Sequence, residues 1–262
     1  MTTPDTLNLD AYFERIGYAG PREASLETLA ALHTAHLGAI PFENVDVLFG
    51  RPIRLDLASL QAKLINRRRG GYCFEQNTLF AAVLRRLGFP VTTLEARVRP
   101  PGATRTLPRT HMVLRVELPD RAVLADVGFG GDGPLEPVDL DGRVSEQGAT
   151  AYRTVEEGSV RVLQIRSGDA WRDLYAFTLD EALPIDFEVA NHYTSTFPTS
   201  RFVTTLTAQL SLPDERRILR DRTLTVRRGS TETHRAIKDH DVLPLLREYF
   251  GLELPDDVHF QS

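Results

Sequence analysis

The apolar pattern of this 262-residue chain changes period at Pro90, and that change limits the folds open to it. Before it, apolar residues recur at helical spacing; after it, short alternating runs are separated by turn residues. Asp10 begins a short helix through Ile16, and Ser25 caps a longer one with Leu26, Leu29, Leu32 and Leu37 on or near one face. Pro41-Phe42-Glu43-Asn44 reads as a loop. Residues 58–68 form a third predicted helix, and Arg67-Arg68-Arg69 read as its solvated end, where cations complement the helix dipole. A phosphate contact is the alternative for that triplet. Strands are predicted at 91–99, 111–118, 122–127, 159–166 and 171–178, as an antiparallel sheet or small barrel. Beyond about 190 come strand-like runs at 202–210 and 223–228 and a helix near 238–249. Helices, then strands, then a mixed tail predict an α+β fold with divisions near 88 and 190.

The only cysteine, Cys73, lies in Arg67-Arg68-Arg69-Gly70-Gly71-Tyr72-Cys73-Phe74-Glu75-Gln76-Asn77. A lone thiol makes no intramolecular disulfide and no multi-cysteine metal site. The double glycine breaks one helical pattern, and a new one begins at the cysteine, with Phe80, Val83, Leu84 and Leu87 at helical spacing before Gly88 and Pro90. A cysteine at a helix start feels the unpaired N–H groups, which favour thiolate over thiol. An inert core cysteine is the common alternative; the Gly-Gly-Tyr-Cys context favours a nucleophile.

A net charge of −5 gives no support for nucleic-acid binding through bulk charge. No apolar run approaches the ~18 residues of a membrane span. The opening Met-Thr-Thr-Pro-Asp-Thr has no basic segment followed by an apolar core. With one cysteine, these features predict a cytoplasmic home.

A thiolate nucleophile needs a base and a group that orients that base. The candidates are His33, His36, His111, His192, His234, His240 and His259. His33 and His36 lie three apart on a helix; a metal pair there needs a further ligand, and exposure is predicted instead. His234 and His240 sit in a charged stretch. His111 opens a strand directly after a Pro/Gly/Thr-rich loop, and Pro119-Asp120 is a turn signal between that strand and Ala122–Val127. A two-residue loop pairs Leu118 with Arg121 and Val113 with Asp126, so that His111 and Asp126 share a face in diagonal contact. A four-residue loop moves them apart, and a three-residue loop puts them on opposite faces. A strand-end histidine beside a turn-forming aspartate is the plainer alternative. Next, Val127-Gly128-Phe129-Gly130-Gly131-Asp132-Gly133-Pro134 spells neither a Walker loop nor a dinucleotide fingerprint. It reads equally as an anion-cradling loop or as a flexible barrel loop.

Five segments in order resemble the arylamine N-acetyltransferases, in particular the bacterial ones. They are Pro41-Phe42-Glu43-Asn44, Arg69 through Asn77, Thr110-His111, Asp126 through Gly131, and Asn191 through Phe202 with Ser195, Pro198 and Ser200. The resemblance covers nearly the whole chain, and Arg-Gly-Gly-Tyr-Cys-Phe-Glu is its most specific part. It implies a helical bundle (1–88) carrying the nucleophile, an antiparallel β-barrel (89–190) carrying His and Asp, and an α/β lid (191–262), around a cysteine-protease-like core. It implies a triad of Cys73, His111 and Asp126, an acceptor pocket of Phe42, Thr110, Phe129 and Phe202, and Gly128, Gly130 and Gly131 beside the coenzyme. Acetyl-CoA is then the acyl-donor substrate, with no metal and no tightly bound cofactor, and the acceptor is an aromatic amine or hydrazine. Where some bacterial members carry an aromatic residue after the first barrel strand, this chain has Arg99-Pro100-Pro101, a difference that bears on acceptor preference.

The resulting expectation is ping-pong acetyl transfer through acetyl-Cys73, with no nucleic-acid or membrane partner. The alternatives are an amide synthase of the same fold in antibiotic assembly, a cysteine hydrolase or transglutaminase-like enzyme, and a non-catalytic binding protein.

Overall fold

The computed structural model describes residues 7–254, 258 and 260; the opening six residues and His259 lie outside them. Helix α1 (Leu9–Ile16) is capped by Asn8, whose side chain accepts from the Ala11 N–H. Helix α2 (Leu26–Ala39) is capped by Ser25 as predicted, its hydroxyl accepting from the Thr28 N–H. Residues 41–44 are not simply a loop: Phe42–Glu43 form strand β1, because their backbone finds a distant antiparallel partner at Ala208 and Gln209. Short helices α3 (Val45–Leu48) and α4 (Leu57–Leu60) follow, the latter running into a π-helical turn at Gln61–Asn66.

Helix α5 (Cys73–Arg86) is buried on most of its surface, with Phe74, Leu79, Phe80, Val83 and Leu84 inaccessible. Its start is fixed by Glu75, which accepts the Tyr72 N–H at 3.1 Å. Gly88, at φ +88°, ends it: the Gly88 N–H reaches the Arg85 carbonyl and the Phe89 N–H reaches Leu84, a Schellman closure. Gly70 has a different reason to be glycine. A Cβ there would lie 2.0 Å from the Pro41 carbonyl oxygen, where the segment leading to Cys73 crosses residues 41–43.

Strands β2 (Val91–Val98), β3 (His111–Glu117), β4 (Ala122–Ala125), β5 (Val138–Asp139), β6 (Ser145–Gln147), β7 (Thr150–Glu157), β8 (Val160–Ser167) and β9 (Ala170–Phe177) form one antiparallel sheet. Its order is β5-β4-β3-β2-β9-β8-β7-β6, and it curls until the Thr154 hydroxyl on β7 donates to the Asp139 carbonyl on β5, making a nearly closed barrel. Helix α6 (Pro184–Thr196) and the turn α7 (Arg201–Thr204) lead to a second sheet, β1 with β10 (Thr207–Ser211), β11 (Arg216–Arg220), β12 (Thr223–Arg228) and β13 (Thr231–Ala236). Helix α8 (Val242–Phe250) packs Leu245, Leu246 and Phe250 into the apolar core that includes Leu206, Ala208 and Leu219 on that sheet's side. The run read as a strand at 202–210 is thus a helical turn followed by β10. The fold is α+β. We propose the three parts as its units, with α6 bridging the second and third.

Candidate active site

The β3–β4 hairpin has the two-residue loop: the Leu118 N–H donates to the Arg121 carbonyl at 2.8 Å, and Leu114 pairs with Ala125. Continuing that register puts His111 and Asp126 diagonal on one face. His111 Nε2 lies 2.7 Å from Asp126 Oδ2, and both side chains are buried. With Nε2 engaged by Asp126, Nδ1 is the ring atom left for Cys73.

The electrostatics favour an imidazolium. Burial acts to lower the His111 pKa, but the Asp126 charge, its hydrogen bond and Cys73 outweigh that and raise it to about 10. Asp126 moves the opposite way. Burial acts to raise its pKa, while His111, Asn77 and the Gly128 N–H hold it below the usual carboxylate range.

Residues not identified as functional in the sequence complete this arrangement. Asn77, one helical turn beyond Cys73 on α5, donates to Asp126 Oδ1 at 2.9 Å and to the Met112 carbonyl at 2.7 Å, and accepts from the Val127 N–H at 3.0 Å. The four-residue spacing from Cys73 was its available signal. His33 is not exposed but wholly buried; its Nε2 accepts the Asp126 N–H at 3.0 Å, which leaves Nδ1 to donate to the Leu135 carbonyl. Burial lowers its pKa to about 4, so it is a neutral acceptor near pH 7. His36 is buried too, bridging the Tyr12 hydroxyl and Gln76 Oε1. Both are inside because α2 carries one charged residue, Glu27, and is apolar almost all round. Tyr175 lies against the His111 ring, centroids 4.9 Å apart. Its buried hydroxyl sits near Asp126 without closing a hydrogen bond of ordinary geometry; burial, then that charge, pushes its pKa up.

The arginine triplet is also corrected. Arg67 and Arg68 are exposed, but Arg69 is buried, with its guanidinium 2.7 Å from Glu43 Oε1 and 3.4 Å from Asp46. Lys63, in the π-helical turn, bonds Glu75 Oε1 at 2.7 Å and Asp46 Oδ2 at 2.8 Å. The helix start beneath Cys73 therefore rests on a buried ionic cluster. These charges find partners tens of residues away or on other elements, which the helix-end reading could not anticipate.

A cavity of about 1070 Å³ opens on Cys73, at the upper end for small-molecule sites. Phe42, Thr110, His111, Gly128, Phe129, Gly131 and Phe202 all line it. Phe202 lies 5.9 Å from Phe42 and 5.7 Å from Tyr72 (centroids), while Phe129 lies 5.3 Å from His111, giving two aromatic walls. The Thr110 carbonyl oxygen is 3.7 Å from Cys73 Sγ. Gly128 lies against Cys73 itself, since a Cβ there would lie 2.7 Å from the Cys73 Cα. Gly130, at φ +77°, and the Gly131 N–H pack against Gln209, which accepts the latter's hydrogen bond. Arg99, Pro100 and Pro101 line the same cavity. No group of three or more metal-ligating side chains occurs among the described residues. None of the described helices is long and apolar enough to cross a membrane.

Residues 25–258 match the family model described as N-acetyltransferase. The arylamine N-acetyltransferase of Mycobacterium tuberculosis is 42% identical over 258 residues, covering 95% of this chain and 91% of that protein. An arylamine N-acetyltransferase / N-hydroxyarylamine O-acetyltransferase of Salmonella typhimurium is 37% identical, covering 96% and 91%. Among solved structures, the M. smegmatis arylamine N-acetyl transferase superposes with a TM-score of 0.91 at 39% identity, covering 95% of this chain and 93% of that one. The Mycobacterium marinum arylamine N-acetyltransferase in complex with CoA gives 0.88 at 39% identity, covering 93% and 92%.

Proposed function

Because the chain belongs to the arylamine N-acetyltransferase family, we propose that it transfers acetyl groups from acetyl-CoA to aromatic amines and hydrazines through acetyl-Cys73. The observation that carries this reading is that Cys73, at the start of α5, and His111, held from behind by Asp126, line one aromatic-walled cavity.

In the resting site Cys73 is a thiolate beside the His111 imidazolium. The sulfur attacks the thioester carbonyl of acetyl-CoA, and first-turn N–H groups of α5 receive the oxyanion. When the tetrahedral adduct collapses, the C–S bond to coenzyme A breaks and the imidazolium gives its proton to the departing thiolate. Acetyl-Cys73, neutral His111 and CoA result. The amine nitrogen then attacks the new thioester, His111 takes its proton, and the Cys73 thiolate leaves with the original ion pair restored. Asp126 holds the ring with Nδ1 toward sulfur and stabilises the imidazolium. The donor lies along the Gly128–Gly131 loop, and the acceptor ring lies between Phe42, Phe129 and Phe202 with Thr110 at its edge. A reducing compartment such as the cytoplasm suits an enzyme working through its only thiol.

The test is incubation with acetyl-CoA and no amine. One acetyl group on Cys73 by peptide mass mapping, with one equivalent of CoA released, is expected. Acylation by a glutamine peptide instead would mark an amidase or transglutaminase-type enzyme and overturn the proposal.

A further inference from the structure

The loop of residues 127–134 carries the glycine beside Cys73 and forms one side of the cavity. Four of its eight residues are glycine, so its own backbone does not fix its course. Asn77 bonds the near end, at Asp126 and Val127, and Gln147 bonds the far end, at Leu135 and Glu136. His33, from α2, bonds both. Its Nε2 accepts the Asp126 N–H at 3.0 Å, and its Nδ1 donates to the Leu135 carbonyl at 2.8 Å.

A backbone N–H can only donate and a carbonyl can only accept, so this ring works in one tautomer and uncharged. It is wholly buried, with Phe80 edge-on at 5.8 Å, so neither nitrogen has bulk water as a substitute partner. Because an imidazole is rigid, one side chain holds the start and the end of the loop at a fixed separation. The start carries Asp126, whose carboxylate holds His111 at 2.7 Å. The end has a second tie to α2, since the Thr34 hydroxyl also donates to the Leu135 carbonyl, at 3.0 Å.

We propose that His33 is a positioning residue with two separable duties: Nε2 sets Asp126 against His111, and Nδ1 sets the glycine loop against the acetyl donor. This inference rests on the acetyl-transfer reading. Thiol acylation then depends on one nitrogen and donor affinity on the other, although His33 stands behind the cavity wall rather than in it.

The test uses two amides that each copy one nitrogen. In His33→Gln the side-chain oxygen reaches the Nε2 position and can accept the Asp126 N–H. In His33→Asn the amide nitrogen sits at the Nδ1 position and can donate to Leu135. First-turnover CoA release is measured against acetyl-CoA concentration. His33→Asn should lower the maximal rate about tenfold or more, with the half-saturating concentration nearly that of wild type. His33→Gln and Thr34→Val should keep the maximal rate within about twofold and raise the half-saturating concentration about threefold or more, the scale of one neutral hydrogen bond. Thr34 is half-buried, so Thr34→Val keeps the far-end arm readable if a histidine variant does not fold. Equal losses in His33→Asn and His33→Gln, or rate and half-saturation changing together in all three variants, mark a packing residue and overturn the inference, as does the absence of any change. If wild-type Cys73 takes no acetyl group, the acetyl-transfer reading fails. The rate of Cys73 alkylation by iodoacetamide near neutral pH then still tests the hold of Nε2 on Asp126: it should be lower in His33→Asn than in His33→Gln, and equal rates overturn that hold as well.

Discussion

Asn77 Nδ2 donates to Asp126 Oδ1 at 2.9 Å, which ties the carboxylate that orients His111 to the same helix that begins at Cys73. One side chain thus sets the spacing between Cys73 and His111. Asn77→Ala removes the partner of the buried Val127 N–H and leaves Asp126 Oδ1 with the Gly128 N–H alone, a loss of about 1–3 kcal/mol in stability. We predict that CoA release from acetyl-CoA slows by roughly 10- to 100-fold, since the base is no longer held in register. Stopped-flow measurement of the first turnover checks this; a wild-type rate would remove Asn77 from the positioning role.

Asp126→Asn keeps the shape but removes the charge that raises the His111 pKa and fixes its tautomer. By analogy with other triads, acylation of Cys73 should fall by about 10⁴-fold. Quantifying acetyl-Cys73 against time tests it, and a loss below tenfold would contradict the assignment of Asp126.

The pH dependence of stability has a definite sign. His111 is raised from 6.5 to about 10, so its contribution is fully present below pH 6.5 and is lost as pH rises through about 10. Asp126 is depressed, so its contribution is present above its ordinary value of 3.8 and is lost on acidification below it. Urea midpoints of the wild type should therefore decline between pH 6.5 and 10. In His111→Gln that decline should flatten; parallel curves for the two proteins would refute the raised histidine.

Lys63→Met strands the buried Glu75 carboxylate, whose other oxygen caps α5 at Tyr72. Removing one partner of a buried ion pair costs about 3–5 kcal/mol. Chemical denaturation should show that loss, and the double variant Lys63→Met/Glu75→Gln should recover part of it. No recovery would mean that the lysine stem, rather than its charge, carries the effect.

The legible part of this site was local. The break at Gly70-Gly71, the helix opening at Cys73 and the parity of the Pro119-Asp120 hairpin are each set by a few neighbouring residues, and each reappears in the structure. What was missed depends on which face of an element turns inward, or on partners far along the chain. His33 and His36 looked exposed because histidine spacing alone does not say where a helix sits; the near absence of charge on α2 does. Arg69 looked like a solvated helix end because Glu43, its partner, is 26 residues away. Phe42–Glu43 looked like a loop because two residues carry no periodicity, and only their pairing with β10 makes them a strand. Strands β5 and β6, two and three residues long, escaped for the same reason.

That pairing of Phe42 with Gln209 also sets an order of assembly in time. A ribosome delivers the nucleophile helix early, but the sheet that seats Phe42 needs a strand from the last quarter of the chain. The Gly131 N–H waits for the same Gln209 side chain. The thiol is therefore translated long before its pocket can close, and a nascent chain stalled short of residue 209 should present Cys73 without the Phe42 wall that the finished protein holds in the same cavity.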